Sequence, residues 1–209
     1  MDFGVDVISA AEYERQRALY GPLTEALRKL ITAGIHTEVD EATVRQAQEA
    51  IEAATALLER KQRGTAGPLR MEGTGRPLVW ANPAVGLRNA IAPPMVIHHE
   101  QGGRAWSEFT LGGAYEGPPG WVHGGICALV LDHILGEAAS DGLTTPKFTG
   151  TITLRYLRGT PLGPLRAEAF IEREEGVKTF ARGYLGNAEG TTVEAEGVFI
   201  RPNWARDAG

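Results

Sequence analysis

His123, Gly124 and Gly125 close the run Gly120-Trp121-Val122-His123-Gly124-Gly125, and Asp132 follows nine residues after the histidine. Between them lies Ile126-Cys127-Ala128-Leu129-Val130-Leu131, an apolar run that reads as the body of a helix opened by the glycine pair. Glycines at a helix start let a ligand approach the free backbone N–H groups. The partial positive charge there suits a carbonyl oxygen that turns negative during reaction. Asp132, set among apolar residues, reads as a buried carboxylate, which is expensive to keep without a task. The chemistry these residues suit is attack on a carbonyl. Water activated by Asp132, or the carboxylate itself, would reach a carbon whose oxygen is held at the helix start.

Spacing then constrains assembly. Seven residues separate Gly125 from Asp132, about 700° of helical turn and about 10 Å of rise. One helix cannot bring its own carboxylate to its own N-terminus, so a working site needs two copies of the chain. Other side chains read more plainly. His123 can cap the turn or transfer a proton, and His133 turns about 100° away from Asp132 toward a packing or interface role. Cys127 reads as a small core residue rather than a nucleophile. His98 and His99 are adjacent on a strand and point to opposite faces, so no metal site is expected.

These residues need a scaffold, and composition bounds it. The content is 43% hydrophobic and 22% charged, which supports an ordinary buried core. A net charge of −5 gives no reason to expect nucleic acid or an anionic membrane as partner. A single cysteine allows no internal disulfide and suits a reducing compartment. No stretch is apolar enough to span a bilayer, and Met1-Asp2-Phe3-Gly4-Val5-Asp6 lacks the pattern of a signal peptide. The expected location is the cytoplasm.

Three segments are expected. Residues 1–66 read as a helical extension, with helices over about Ala10–Ile31 and Asp40–Arg63. Gly21-Pro22 should break or kink the first helix, and Gly64 and Gly67-Pro68 should end the second. This arm reads as a packing or dimer-covering element, or as a substrate lid. Residues 67–94, rich in Gly, Pro and Asn, read as a connector. Residues 95–202 form the third segment. It holds two strands around Gly102-Gly103, a helix over about Gly124–Ala139, and four strands beginning near Phe148, Leu165, Val177 and Thr191. Turn clusters at regular spacing make successive strands expected antiparallel neighbours. In the first, Phe148, Ile152, Leu154 and Tyr156 fall on one face and Thr149, Thr151, Thr153 and Arg155 on the other. A helix apolar nearly all round must be wrapped, and a curved antiparallel sheet can wrap it. The expected class is α+β.

The string Glu116-Gly117-Pro118-Pro119-Gly120-Trp121-Val122-His123-Gly124-Gly125 with Asp132, and the strand Phe148–Arg158, resemble a known family. It is the hotdog-fold acyl-CoA thioesterases of the 4-hydroxybenzoyl-CoA thioesterase superfamily, in its phenylacetate-pathway branch. The resemblance covers about Met95 to Pro202 and leaves the helical arm outside. It implies hydrolysis of an acyl-CoA thioester, without a cofactor, at a site between subunits of a homodimer or dimer of dimers. Asp132 would be general base or nucleophile, and the Gly125 N–H would polarise the carbonyl. His123 would shape the turn, Gly124 would contact the substrate, and Thr149 would place water or the carboxylate. Arg158 and Lys178, near strand ends, are candidate contacts for the CoA phosphates. Where many relatives carry an upstream Asn, this chain has Glu116-Gly117-Pro118. Two other readings stand beside hydrolysis: a hotdog hydratase or dehydratase, and a non-catalytic acyl-CoA or acyl-carrier binding module.

Overall fold

A computed structural model of the chain describes residues 6–62 and 69–205. The N-terminal part holds β1 (Asp6–Ile8), α1 (Ala10–His36), α2 (Glu41–Glu59) and β2 (Leu69–Met71). The remainder holds β3 (His98–Glu100), β4 (Arg104–Leu111), α3 (Gly124–Ala139), β5 (Phe148–Tyr156), β6 (Gly163–Glu175), β7 (Lys178–Asn187) and β8 (Gly190–Ile200). Six strands form one antiparallel sheet in the order β3-β4-β6-β7-β8-β5.

The sheet wraps α3. Val130, Leu131, Ile134 and Leu135 are fully buried, each contributing about 1.5–3 kcal/mol by leaving water. Under them the sheet is floored by Ala105, Ala167, Ala169, Ala181 and Ala195, all buried and drawn from β4, β6, β7 and β8. Small side chains there let a helix with large ones lie close. At Gly197 on β8 an added Cβ would meet the Phe199 ring at 2.6 Å and Leu135 at 3.4 Å. The helix ends where Asp141 and Gly142 take left-handed backbone angles, φ 49° and 66°.

Strand adjacency departs from the expected meander at one place. β6, β7 and β8 are successive neighbours, but β5 pairs with β8 at the sheet edge, three strands from β6. Six residues, 157–162, join β5 to β6. They reach about 20 Å when extended, against about 14 Å for three strand spacings, so a crossover is feasible. It is held by Val122 N–H on Thr160 O at 2.8 Å and Leu162 N–H on Gly120 O at 3.1 Å. Turn composition shows where a strand ends but not which neighbour the next one takes.

The N-terminal part differs from expectation in three ways. α1 runs through Gly21-Pro22 and reaches His36. Proline normally clashes with the Cβ of a helical residue before it, and Gly21 has none. β1 and β2, neither of them expected, pair in parallel across the two helices. α2 stops at Glu59, capped at its start by Asp40, whose Oδ1 accepts the Thr43 N–H at 2.9 Å. The expected stops at Gly64 and Gly67-Pro68 lie outside the described residues. Arg28 ties α1 to the Ala92 carbonyl at 3.2 Å, and Arg88 lies 3.6 Å over the Tyr20 ring. Among the described residues no helix is long and apolar enough to cross a membrane.

Candidate active site

The helix start is built by the loop before it. His123 is the N-cap of α3, and its own N–H bonds the Tyr115 carbonyl at 2.9 Å. Gly117 lets the loop fold back on itself, since a Cβ there would meet His123 Cα at 2.9 Å. The His123 ring turns toward the helix, and its Nδ1 accepts the Gly125 N–H at 2.9 Å. The donor assigned to a substrate carbonyl is therefore held by an imidazole cap. The Gly124 N–H, also in the first turn, has no intrahelical partner. Glu116 accepts the Gly120 N–H at 2.6 Å and so serves this loop's own turn.

Tyr156 is a member of this corner that the sequence reading left unassigned. Its hydroxyl donates to the Gly124 carbonyl at 2.8 Å, and a Cβ on Gly124 would touch its ring at 3.5 Å. Strand alternation places Tyr156 on the face of Ile152 and Leu154, which pack against the core. What alternation lacked was the position of the helix start against the end of β5.

Asp132 is half-buried rather than enclosed. The expectation of a carboxylate surrounded by apolar side chains fails because Asp132 shares its face of α3 with Gly125, Ala128 and Gly136, none of them buried, and not with Val130 and Ile134. Thr149 Oγ1 donates to Asp132 Oδ1 at 2.9 Å, so these two residues meet. They meet because Thr149 lies on the helix-facing side of β5, not on the polar side. Thr149 pairs with buried Phe199 and Thr151 with Val198, so Gly150 forms a bulge that resets the alternation. A Cβ on Gly150 would meet Ile200 Cδ1 at 2.7 Å. Phe148 is correspondingly turned out, 60% exposed.

The remaining candidates divide. Asp132 binds near the start of β5 and Gly124 near its end, so one chain keeps carboxylate and helix start apart. Arg158 is engaged in the β7–β8 turn through four of its five N–H donors. Its guanidinium bonds Asn187 Oδ1 at 2.7 Å, the Gly190 carbonyl at 2.8 Å, and Glu189 and the Thr191 carbonyl at 3.3 Å each. Lys178 opens β7 at its opposite end, about 30 Å away along the strand. Within one chain the two cations cannot share a ligand's phosphates. Cys127 is buried and bonds Thr160 Oγ1 at 3.6 Å. Burial pushes its thiol up, away from nucleophilic thiolate.

The enclosed carboxylate of α3 is Glu137, 2% exposed and singled out by no motif. His133 Nε2 lies 3.3 Å from one oxygen, and His99 Nε2 and Arg76 Nη2 lie 3.2 and 3.6 Å from the other. Burial alone would raise its pKa. The contacts with His133 and His99, reinforced by Arg76, outweigh burial and hold it at about 2. His98 turns to the other face and stacks on Trp106 at 4.2 Å. No group of three or more His, Cys, Asp or Glu suited to a metal occurs among the described residues.

No family model matches the chain. Among solved structures, the crystal structure of a thioesterase superfamily protein is 32% identical, with a TM-score of 0.77 over 87% of this chain and 94% of that one. The chain belongs to the thioesterase superfamily. Its α+β architecture, with a curved antiparallel sheet around a central helix and a helical N-terminal part, is the hotdog fold. A superfamily match over 87% of the chain must extend into residues 1–66, because residues 67–209 make up only about two thirds of it. The helical arm is thus shared with that relative. The chain is also similar to a phenylacetic acid degradation-related protein from Ralstonia eutropha JMP134. That protein is 23% identical, with a TM-score of 0.48 over 51% of this chain and 84% of the other. The E. coli PaaI protein from the phenylacetic acid degradation operon is 18% identical, with a TM-score of 0.49 over 53% and 80%.

Proposed function

We propose that this member of the thioesterase superfamily hydrolyses acyl-CoA thioesters as a homodimer, with each site shared between two chains. The observation that carries the reading is the Asp132–Thr149 pair beside an unpaired sheet edge, with a glycine helix start at the strand's other end. β5 has β8 on one side and, among the described residues, no strand on the other, and an open edge is a template for pairing. Phe148, Tyr156 and Leu157 are exposed along or just beyond it. A second copy set antiparallel on this edge brings its Asp132 toward the first copy's Gly125.

Asp132 takes a proton from water, and the hydroxide adds to the thioester carbon. The alternative is direct attack by the carboxylate, giving a mixed anhydride that water then opens. In either route the carbonyl oxygen gains charge at the helix start, displacing the His123 ring from the Gly125 N–H. The C–S bond then breaks and the thiolate leaves without needing a strong acid. Thr149 holds the carboxylate oriented. The proposed domain division follows the chemistry: residues 95–202 carry the site, and residues 1–66 and 67–94 flank it.

The test is thiol release from short, long and aromatic acyl-CoAs, with Asp132→Asn as control. Release by the parent protein and a drop of at least about 100-fold in the variant are expected. Near-parental turnover in a folded Asp132→Asn protein would sink the assignment. Conversion of an enoyl-CoA to its 3-hydroxy form, or tight acyl-CoA binding without release, would move the reading to a hydratase or a binding module.

A further inference from the structure

A cleft of about 420 Å³ lies where α1 meets the core, and none of the residues assigned to thioester chemistry lines it. One wall is a single stripe of α1: Tyr13, Arg17, Gly21, Thr24 and Arg28. These positions recur every three or four residues, so they share one helix face. Gly21 leaves that stripe open at its middle, with nothing within 4 Å of an added Cβ. The opposite wall is apolar, drawn from residues 77–97 and including Leu78, Val79, Trp80, Met95 and Ile97. Arg76 and Glu137 complete the lining on the α3 side.

The polar groups of the cleft favour an anion. Three guanidinium groups line it against one carboxylate, and that carboxylate already has Arg76 and His99 beside it. Arg28 gives Nη1 to Glu25 and Nη2 to the Ala92 carbonyl, but its Nε is buried with no hydrogen-bond partner. A buried donor without an acceptor is uncommon in a folded protein. Arg17 has only a loose contact, 3.6 Å to solvent-exposed Glu14. The volume falls in the range of small-molecule sites, and apolar walls with a few convergent polar groups are their usual composition.

We propose that this cleft binds an organic carboxylate with an apolar body, its carboxylate on Arg28 and its body against Val79, Trp80 and Met95. The site is separate from the Asp132 centre and requires no thioester in its ligand. Its walls come from both the arm and the core, so an acid bound there braces one against the other.

Calorimetric titration of the full chain with decanoate tests this, with methyl decanoate as the uncharged control. One decanoate should bind per chain, and the ester at least tenfold more weakly. Arg28→Gln should weaken decanoate at least tenfold, and Val79→Trp, which fills the cleft, should abolish saturable binding. Asp132→Asn should leave it unchanged. Thermal melts establish that each variant is folded, and Val79→Trp with the ester control decides if Arg28→Gln is not. Equal binding of acid and ester, loss of binding in Asp132→Asn, indifference to Val79→Trp, or no binding would each overturn the proposal. None of these outcomes depends on thioester hydrolysis, so the two readings fail separately.

Discussion

Glu137 and His123 show how a side chain's neighbours decide what it does. Glu137 is held at about 2 in the folded chain, against an ordinary glutamate value of about 4.3 when unfolded. A carboxyl depressed on folding stabilises the protein above the unfolded value and loses that contribution as pH falls toward the folded one. The contribution is on the order of 3 kcal/mol, present above about pH 4.5 and gone near pH 2. Urea unfolding of Glu137→Gln should therefore show a large deficit at pH 6 that narrows steadily below pH 4. A pH-independent deficit would mean that packing, not charge, is what the residue supplies. His123→Ala removes the cap on Gly125 and should cost about 1 kcal/mol of stability. Because the ring occupies the N–H proposed to receive the substrate carbonyl, turnover should stay within about tenfold of the parent. Steady-state kinetics beside a melting curve separates the two effects.

Among the elements, β5 is the one whose detail matters most. Period-2 reading of Phe148–Tyr156 is correct from Thr151 onward and inverted before it, because Gly150 adds a residue that pairs with nothing. A glycine in a strand is a cue to a bulge, yet it does not say which side chain the bulge re-aims. Gly150→Val would press a branched side chain on Ile200, where even a Cβ comes within 2.7 Å. We expect about 1–3 kcal/mol of destabilisation and loss of the Thr149–Asp132 contact. Nuclear magnetic resonance of the Thr149 amide and a thiol-release assay would show both, and an unchanged assay would remove Thr149 from the mechanism. α3, by contrast, was legible to the residue, since a glycine pair opens it and Asp141-Gly142 closes it. The crossover and the β1–β2 pair were not legible. Both are contacts between distant segments, and local periodicity contains no term for them.

For the whole molecule, the question is how two half-sites meet. Carboxylate and helix start sit at opposite ends of one strand, and a twofold axis across that strand's edge would pair each with its complement. Subunit mixing is the direct test. Asp132→Asn and Gly125→Pro, the latter losing its N–H at a helix start that tolerates proline, should each be inactive alone. Mixed in equal amounts and allowed to exchange, half the dimers are hybrids with one intact site. Activity should then recover to about one quarter of the parental value. No recovery, despite exchange shown by mass spectrometry, would place the site within a single chain.

The alanine floor beneath α3 bears on how such a protein can change. Both proposed half-sites ride on one helix, and the side chains of the sheet beneath it include five buried alanines. Enlarging one of them presses on the helix that carries both Gly125 and Asp132, at a cost of about 1–3 kcal/mol. Shifts in reach toward a second copy are thus available through positions that a survey of polar residues would pass over. In this architecture the adjustable part is the bed and not the tools laid on it.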